Sequence, residues 1–169
     1  FIGVDIKGAR MWRGAKTATE QQMENVGFLR TRIEFIDSCF GPGEVDEIWI
    51  TFPDPQLRKS RVKKRLTAPD FLERYARFLR PGGTIHLKSD CRHLHDYTRA
   101  VAEGNLLPIE AANTDIYGTG FADELLSIKT TYEKRFLAQG VPITYLRFRL
   151  DDRNTFDPIE FAPDEQLLG

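Results

Sequence analysis

Short apolar bursts alternate along this chain with longer stretches in which apolar residues recur at helical spacing. Phe1 to Ile6 reads as a strand, apolar until Asp5, and Lys7 to Asn25 as a helix with Ala9, Trp12, Ala15 and Met23 on its inner side. VGFLRTRIEFI, from Val26, reads as a second strand, and Gly41-Pro42-Gly43 marks a turn. Val45 to Phe52, nearly all apolar after Glu47, predicts a buried strand. Thr67-Ala68-Pro69-Asp70 has the spacing of a capping box, and Phe71, Leu72, Tyr75, Phe78 and Leu79 continue it as a helix. Arg80-Pro81-Gly82-Gly83 ends that helix, and TIHLK, from Thr84, is the next strand. Asp90 is placed to cap a further helix with Leu94, Tyr97 and Val101 inward. A loop around Tyr117-Gly118-Thr119-Gly120 leads to a helix in KTTYEKRFLAQG that stops at Gly140. ITYLRFRL, from Ile143, is the last strand, with Leu146, Phe148 and Leu150 on one face.

Strands alternating with helices predict an α/β fold, a doubly wound and mainly parallel sheet with helices on both faces. Such sheets bind ligands outside the carboxyl ends of their strands. Asp5, Asp54 and Asp90 each stand at such an end. An acid there can accept two hydrogen bonds from a ribose diol, and for Asp5 alone a helix-start acid is the plainer reading. Asp54 is more constrained, because Pro53 and Pro55 cannot continue a central strand and fix the backbone on both sides of it.

Composition narrows the class. With 169 residues, the chain is long enough for one domain with a sizeable core, and no run approaches the roughly 20 apolar residues of a membrane span. It starts inside an apolar stretch without Met, so an upstream segment is expected. Cys39 and Cys91 have no metal-ligand spacing and fit a reduced, cytoplasmic setting. A net charge of −1 announces no polyanionic partner, so any basic footprint has to be local. One exists: Arg58 to Arg65 holds six basic residues in eight positions, directly after Pro53-Asp54-Pro55. Charges this dense repel one another unless a polyanion neutralises them, and phosphates are the natural counter-charge. The tail from Asp151 holds six acids against the single Arg153 and reads as an extension of residues 151–169 beyond a domain of residues 1–150.

Other candidates carry less. GARMWRGAKT lacks the spacing of a phosphate loop, and His93 and His95 are two apart on a helix, on different faces; no metal site is expected. KTTYE reads in two ways: a helix start with an i,i+4 pair between Lys129 and Glu133, or a polar rim for a planar ligand formed by Thr130, Thr131, Tyr132 and Glu133.

GVDIK, ITFPDP, the basic run, HLKSD and KTTYE occur in that order. In this combination the sequence resembles the bacterial-type tRNA (guanine-N7-)-methyltransferases, from Phe1 to about Leu150. The resemblance implies a Rossmann-like class I methyltransferase fold, S-adenosyl-L-methionine as cofactor, tRNA as partner and methylation of guanine N7. It implies that Asp5 holds the cofactor ribose and that Asp54 is catalytic and lies at the methionine end of the cofactor. Arg58 falls where the family has a substrate-contacting Lys. Ser60, Arg61, Lys63, Lys64 and Arg65 fall in the RNA-contacting loop. Asp90, Thr130, Thr131, Tyr132 and Glu133 fall at substrate-binding positions. Two departures accompany the match. The family's first strand and Gly-rich loop lie upstream of Phe1, and the family's adenine-side acid is replaced at Arg32. Two alternatives stand beside this reading: a methyltransferase with another substrate, which does not require the basic run and TTYE, and a non-catalytic RNA-binding protein, which leaves the three strand-end acids unexplained.

Overall fold

The structure is a computed structural model and describes residues 1–161. The chain forms two compact units, Phe1–Gly41 and a second that begins at Pro42. In the first, β1 (Ile2–Asp5) pairs in parallel with β2 (Gly27–Arg30) across the crossover helix α1 (Gly8–Glu20). Ala18 is the buried residue of α1, whereas Trp12 is 65% exposed. The inner side of this helix is therefore rotated from the one the aromatic residue suggests. The stretch expected to extend β2 instead turns into a 3-10 helix, Ile33–Ser38.

The second unit is built on four strands: β3 (Val45–Thr51), β4 (Leu79–Ser89), β5 (Ile109–Asn113) and β6 (Thr144–Arg149), in the order β3-β4-β6-β5. β3 and β4 are parallel, and β6 enters antiparallel between β4 and β5. Between the strands lie α2 (Pro69–Ala76), α3 (Arg92–Gly104) and α4 (Thr131–Ala138).

Strand alternation divides the sheet into two faces. Ile85 and Leu87 pair with Phe148 and Leu146, all fully buried, and α3 packs on the sheet with Leu94, Tyr97 and Val101 buried. Each such side chain contributes roughly 1.5–3 kcal/mol by leaving water. The opposite face carries Trp49, His86, Lys88, Tyr145 and Arg147, and near Tyr145 it is covered by a cluster of Ile116, Leu126 and Ile143 with Phe52 and Phe136.

β4 is longer than its sequence suggests. The Pro-Gly-Gly stretch lies inside it, where Gly82 adopts φ +72° and donates to Leu150 O, so the glycines bend the strand rather than end the preceding helix. Thr67 does not cap α2. Its hydroxyl lies 2.7 Å from Thr98 Oγ1, and Ala68 is the N-cap. Asp90 does not cap α3 either, since Cys91 is the N-cap and its N–H donates to Ser89 Oγ. The described part of the acidic tail docks on α3: Phe156 is buried, Asp157 N–H donates to Asn105 Oδ1, and Phe161 meets the rings of His93 and Tyr97 edge-on. Residues 162–169 of that extension lie outside the described residues.

His86 stacks on Trp49 at 3.9 Å, and its Nδ1 lies 2.7 Å from Tyr145 Oη. Burial pushes this imidazole down to about 4, outweighing Glu47, whose carboxylate lies 3.5 Å from Nε2 and pulls the other way. Above its ordinary value of 6.5 the ring is neutral in both folded and unfolded chains. As pH falls from there to about 4, the unfolded chain binds a proton that the folded chain refuses, and stability is lost across that window. Thermal melts between those limits should show a shallower acid limb in His86→Phe than in wild type, whatever the variant's starting stability. An equal slope would assign the limb to other groups.

Candidate active site

β3 and β4 are parallel neighbours, so their carboxyl ends lie at the same edge of the second unit's sheet. Asp54 follows β3 and Asp90 follows β4 directly. The chain leaves β3 through a turn held by its own residues. Phe52 and Gln56 on either side of Pro53-Asp54-Pro55 have left-handed φ values of 50° and 48°. These conformations cost about 1–3 kcal/mol each in non-glycine residues and persist only where the surroundings enforce them. Three contacts do so: Phe52 N–H donates to Lys88 O at 2.8 Å, the Phe52 ring stacks on Phe136 of α4, and Gln56 N–H donates to Asp54 Oδ1 at 3.0 Å. Asp54 itself is exposed, leaving its second oxygen at the surface. Asp90 is half-buried, and burial pushes its carboxyl up from the ordinary range.

The basic run is a 3-10 helix, Lys59–Lys64, with Arg58 as N-cap. Three residues per turn put Val62 and Arg65 in one row. Arg58, Lys59, Ser60, Arg61, Lys63 and Lys64 are exposed; Val62 is partly buried and Arg65 is 1% exposed. Arg65 Nε donates to Pro55 O at 3.1 Å and Gln56 O at 3.3 Å, and its guanidinium lies over the Tyr97 ring at 4.2 Å. Nη2 lies 3.2 Å from His93 Nε2, which must accept, since a guanidinium only donates. Burial pushes the Arg65 pKa down. This last basic residue of the run thus fastens the helix to the Asp54 turn from inside, while the others face solvent.

Thr130 opens α4 through a reciprocal capping box. Its Oγ1 accepts Glu133 N–H at 3.1 Å, and Glu133 Oε2 accepts Thr130 N–H at 3.2 Å. Thr131 and Tyr132 are exposed, whereas Glu133 is fully buried. The expected pair between Lys129 and Glu133 is replaced: Lys88 Nζ sits 2.7 Å from Glu133 Oε1, and Lys129 Nζ lies over the Tyr117 ring instead. Lys88 and Tyr117 were not singled out by the sequence, where an alternating HLKS and a Tyr-Gly loop give no sign that they meet a carboxylate.

In the first unit, Asp5 closes β1. One oxygen accepts Lys7 N–H at 2.9 Å, and the other is 3.4 Å from Arg10 Nη1, a long contact that leaves acceptor capacity. Arg32 forms an ion pair with Glu34 at 3.5 Å.

Residues 1–146 match the family model described as "Putative methyltransferase". The chain is 51% identical over 168 residues to the tRNA (guanine-N(7)-)-methyltransferase of Porphyromonas gingivalis, covering 97% of this chain and 68% of that relative. The chain belongs to the tRNA (guanine-N(7)-)-methyltransferase family. A second member, from Bacteroides thetaiotaomicron, is 51% identical over 150 residues; the match covers 89% of this chain but 59% of that relative's length. The fold is that of the class I methyltransferases. A 16S rRNA (adenine(1408)-N(1))-methyltransferase from Catenulisporales acidiphilia, solved with its cosubstrate SAM, superposes with a TM-score of 0.59 at 18% identity, over 94% of this chain and 77% of that one. Among the described residues, no helix is long and apolar enough to cross a membrane.

Proposed function

We propose that this protein transfers a methyl group from S-adenosyl-L-methionine to N7 of a guanine in tRNA, in the cytoplasm; its relatives are named for methylating guanine N7 of tRNA. The observation that carries the reading is the juxtaposition in the second unit. Asp54, Asp90 and the exposed Thr131-Tyr132 start of α4 are tied to one sheet edge, and an exposed basic helix is fastened to the Asp54 turn. Residues 1–150 form the methyltransferase domain in this reading, and residues 151–169 an acidic extension.

Guanine N7 carries an in-plane lone pair and no proton, so its attack needs no base. The work left to the protein is positioning and electrostatics. The bound cofactor supplies an electrophilic methyl group on a sulfonium. Asp5, with acceptor capacity left over from Arg10, fits a ribose diol. Asp54 accepts hydrogen bonds at the reacting edge and stabilises positive charge gathering on the base. Asp90 accepts from the N1–H and exocyclic amine, a donor pair that adenine lacks. Thr130, Thr131 and Tyr132 form the rim, on which Tyr132 offers an exposed ring to an extruded base. Arg58, Ser60, Arg61, Lys63 and Lys64 contact the RNA backbone, giving affinity without reading sequence.

Labelled S-adenosyl-L-methionine and unmodified tRNA, followed by nucleoside analysis, test the proposal. Label in 7-methylguanosine is the expected result, and label in another nucleoside, or none, would overturn it. The role of the basic helix has its own test. Arg61, Lys63 and Lys64 changed together to Ala are expected to lower the slope of log K against log salt by roughly two to three, nearly one for each phosphate contact that disappears. An unchanged slope would make the run a solvated face.

A further inference from the structure

Lys88 and Glu133 form a buried ion pair that belongs to neither the tRNA-facing surface nor the hydrophobic core. Lys88 is 4% exposed and Glu133 fully buried. Both carboxylate oxygens are engaged by the protein. Oε1 meets Lys88 Nζ at 2.7 Å and accepts the Tyr117 hydroxyl at 2.6 Å; Oε2 accepts Thr130 N–H. Lys88 Nζ also donates to Leu126 O at 2.6 Å. Burial and the adjacent carboxylate push the Tyr117 phenol up, which keeps it a donor. The backbone of the same Lys88 accepts Phe52 N–H, where the chain turns into Pro53-Asp54-Pro55, and Asp90 lies two residues further on. One residue therefore touches the α4 start with its side chain, the Asp54 turn with its carbonyl, and leads into Asp90.

We propose that Lys88, with Tyr117, is a positioning residue for methyl transfer: it holds Glu133 inside the protein and so sets the Thr130–Tyr132 rim against Asp54 and Asp90. Glu133 then acts through the fold, and base recognition falls to Asp90. This rests on the reading under Proposed function. The physical reason for an ion pair here is geometric. A buried pair contributes little net stability compared with apolar residues of the same volume, but either partner left alone is a stranded charge. Removing one partner should therefore disturb the rim more than removing both.

The test uses the full-length chain with Lys88→Met, Glu133→Gln, the double variant and Tyr117→Phe. Single-turnover methyl transfer, tRNA affinity, cofactor affinity and melting temperature are measured for each. Lys88→Met is expected to lose about tenfold or more in rate with cofactor affinity unchanged, and the double variant is expected to recover most of that loss. Tyr117→Phe removes one hydroxyl, keeps the fold and serves if Lys88→Met does not fold; its expected result is a slower rate at wild-type melting temperature and tRNA affinity. A double variant whose loss equals the product of the single losses, or a Tyr117→Phe rate equal to wild type, overturns the positioning role. A wild-type protein that transfers no methyl to tRNA overturns the underlying reading instead, which separates the two failures.

Discussion

Asp54→Asn is expected to bind tRNA as wild type does while its single-turnover rate falls roughly 100- to 1,000-fold, the range seen when one pre-organised electrostatic group is removed. The substitution is chosen for what it preserves. Asparagine keeps an oxygen for Gln56 N–H, so the turn between Phe52 and Gln56 retains its internal hydrogen bond. Phe52 keeps its own supports, the Lys88 carbonyl and the Phe136 ring, and the Gln56 carbonyl keeps Arg65 Nε. What disappears is the negative charge that the proposed reaction sets beside the base as it becomes positive. The RNA contacts proposed for Arg61, Lys63 and Lys64, which are exposed, do not involve that charge. Rate constants near wild type at saturating tRNA and cofactor would remove Asp54 from the catalytic role, and a matched loss of tRNA affinity would make it a binding residue.

The regular elements were legible where apolar residues kept one period. Leu94, Tyr97 and Val101 in α3, and Leu146, Phe148 and Leu150 at β6, are all buried as their spacing requires. β5 escaped because Ile109–Asn113 is short and ends in Ala, Ala and Asn, residues with little preference for strands. The capping box was expected at Thr67 and exists at Thr130. Both segments have a hydroxyl residue three positions before an acid, but the Thr67 hydroxyl is taken by Thr98, 31 residues away. That competition is tertiary and leaves no local trace. The same holds at the candidate site. Proline on both sides made the Asp54 turn readable, and a dense run made the basic helix readable. The inward turn of Arg65, Lys88 and Glu133 was not, because charged residues read as solvent-facing until a partner distant in sequence is known. For Arg65 a faint signal existed in its three-residue spacing from the apolar Val62, which becomes meaningful once the segment is known to be a 3-10 helix.

Arg65 gives the second large expected effect, and it separates two roles that one basic run could confuse. If all six cations served RNA, each would add to the salt dependence of binding by nearly one phosphate contact. The geometry divides them. Arg65 has its guanidinium between the carbonyls of Pro55 and Gln56, the His93 ring nitrogen and the Tyr97 ring, and it is closed off from solvent. Replacing it with Met keeps a chain of similar length over Tyr97 but leaves the two carbonyls without their donor. The Asp54 turn then loses the contact that fixes it to the basic helix. A displacement of about 1 Å at a reacting group is enough for roughly 100-fold in rate. Arg65→Met is accordingly expected to turn over between roughly tenfold and 100-fold more slowly, with the salt slope of tRNA binding unchanged. Lysine should not restore the rate, because an ammonium cannot reach two carbonyls and an imidazole while lying flat on an aromatic ring. The triple change at Arg61, Lys63 and Lys64 should show the reverse pattern, a shallower slope with little change in rate at saturating tRNA. A salt slope that drops by about one in Arg65→Met, with turnover intact, would return Arg65 to the RNA-contacting set and detach the basic helix from the catalytic turn.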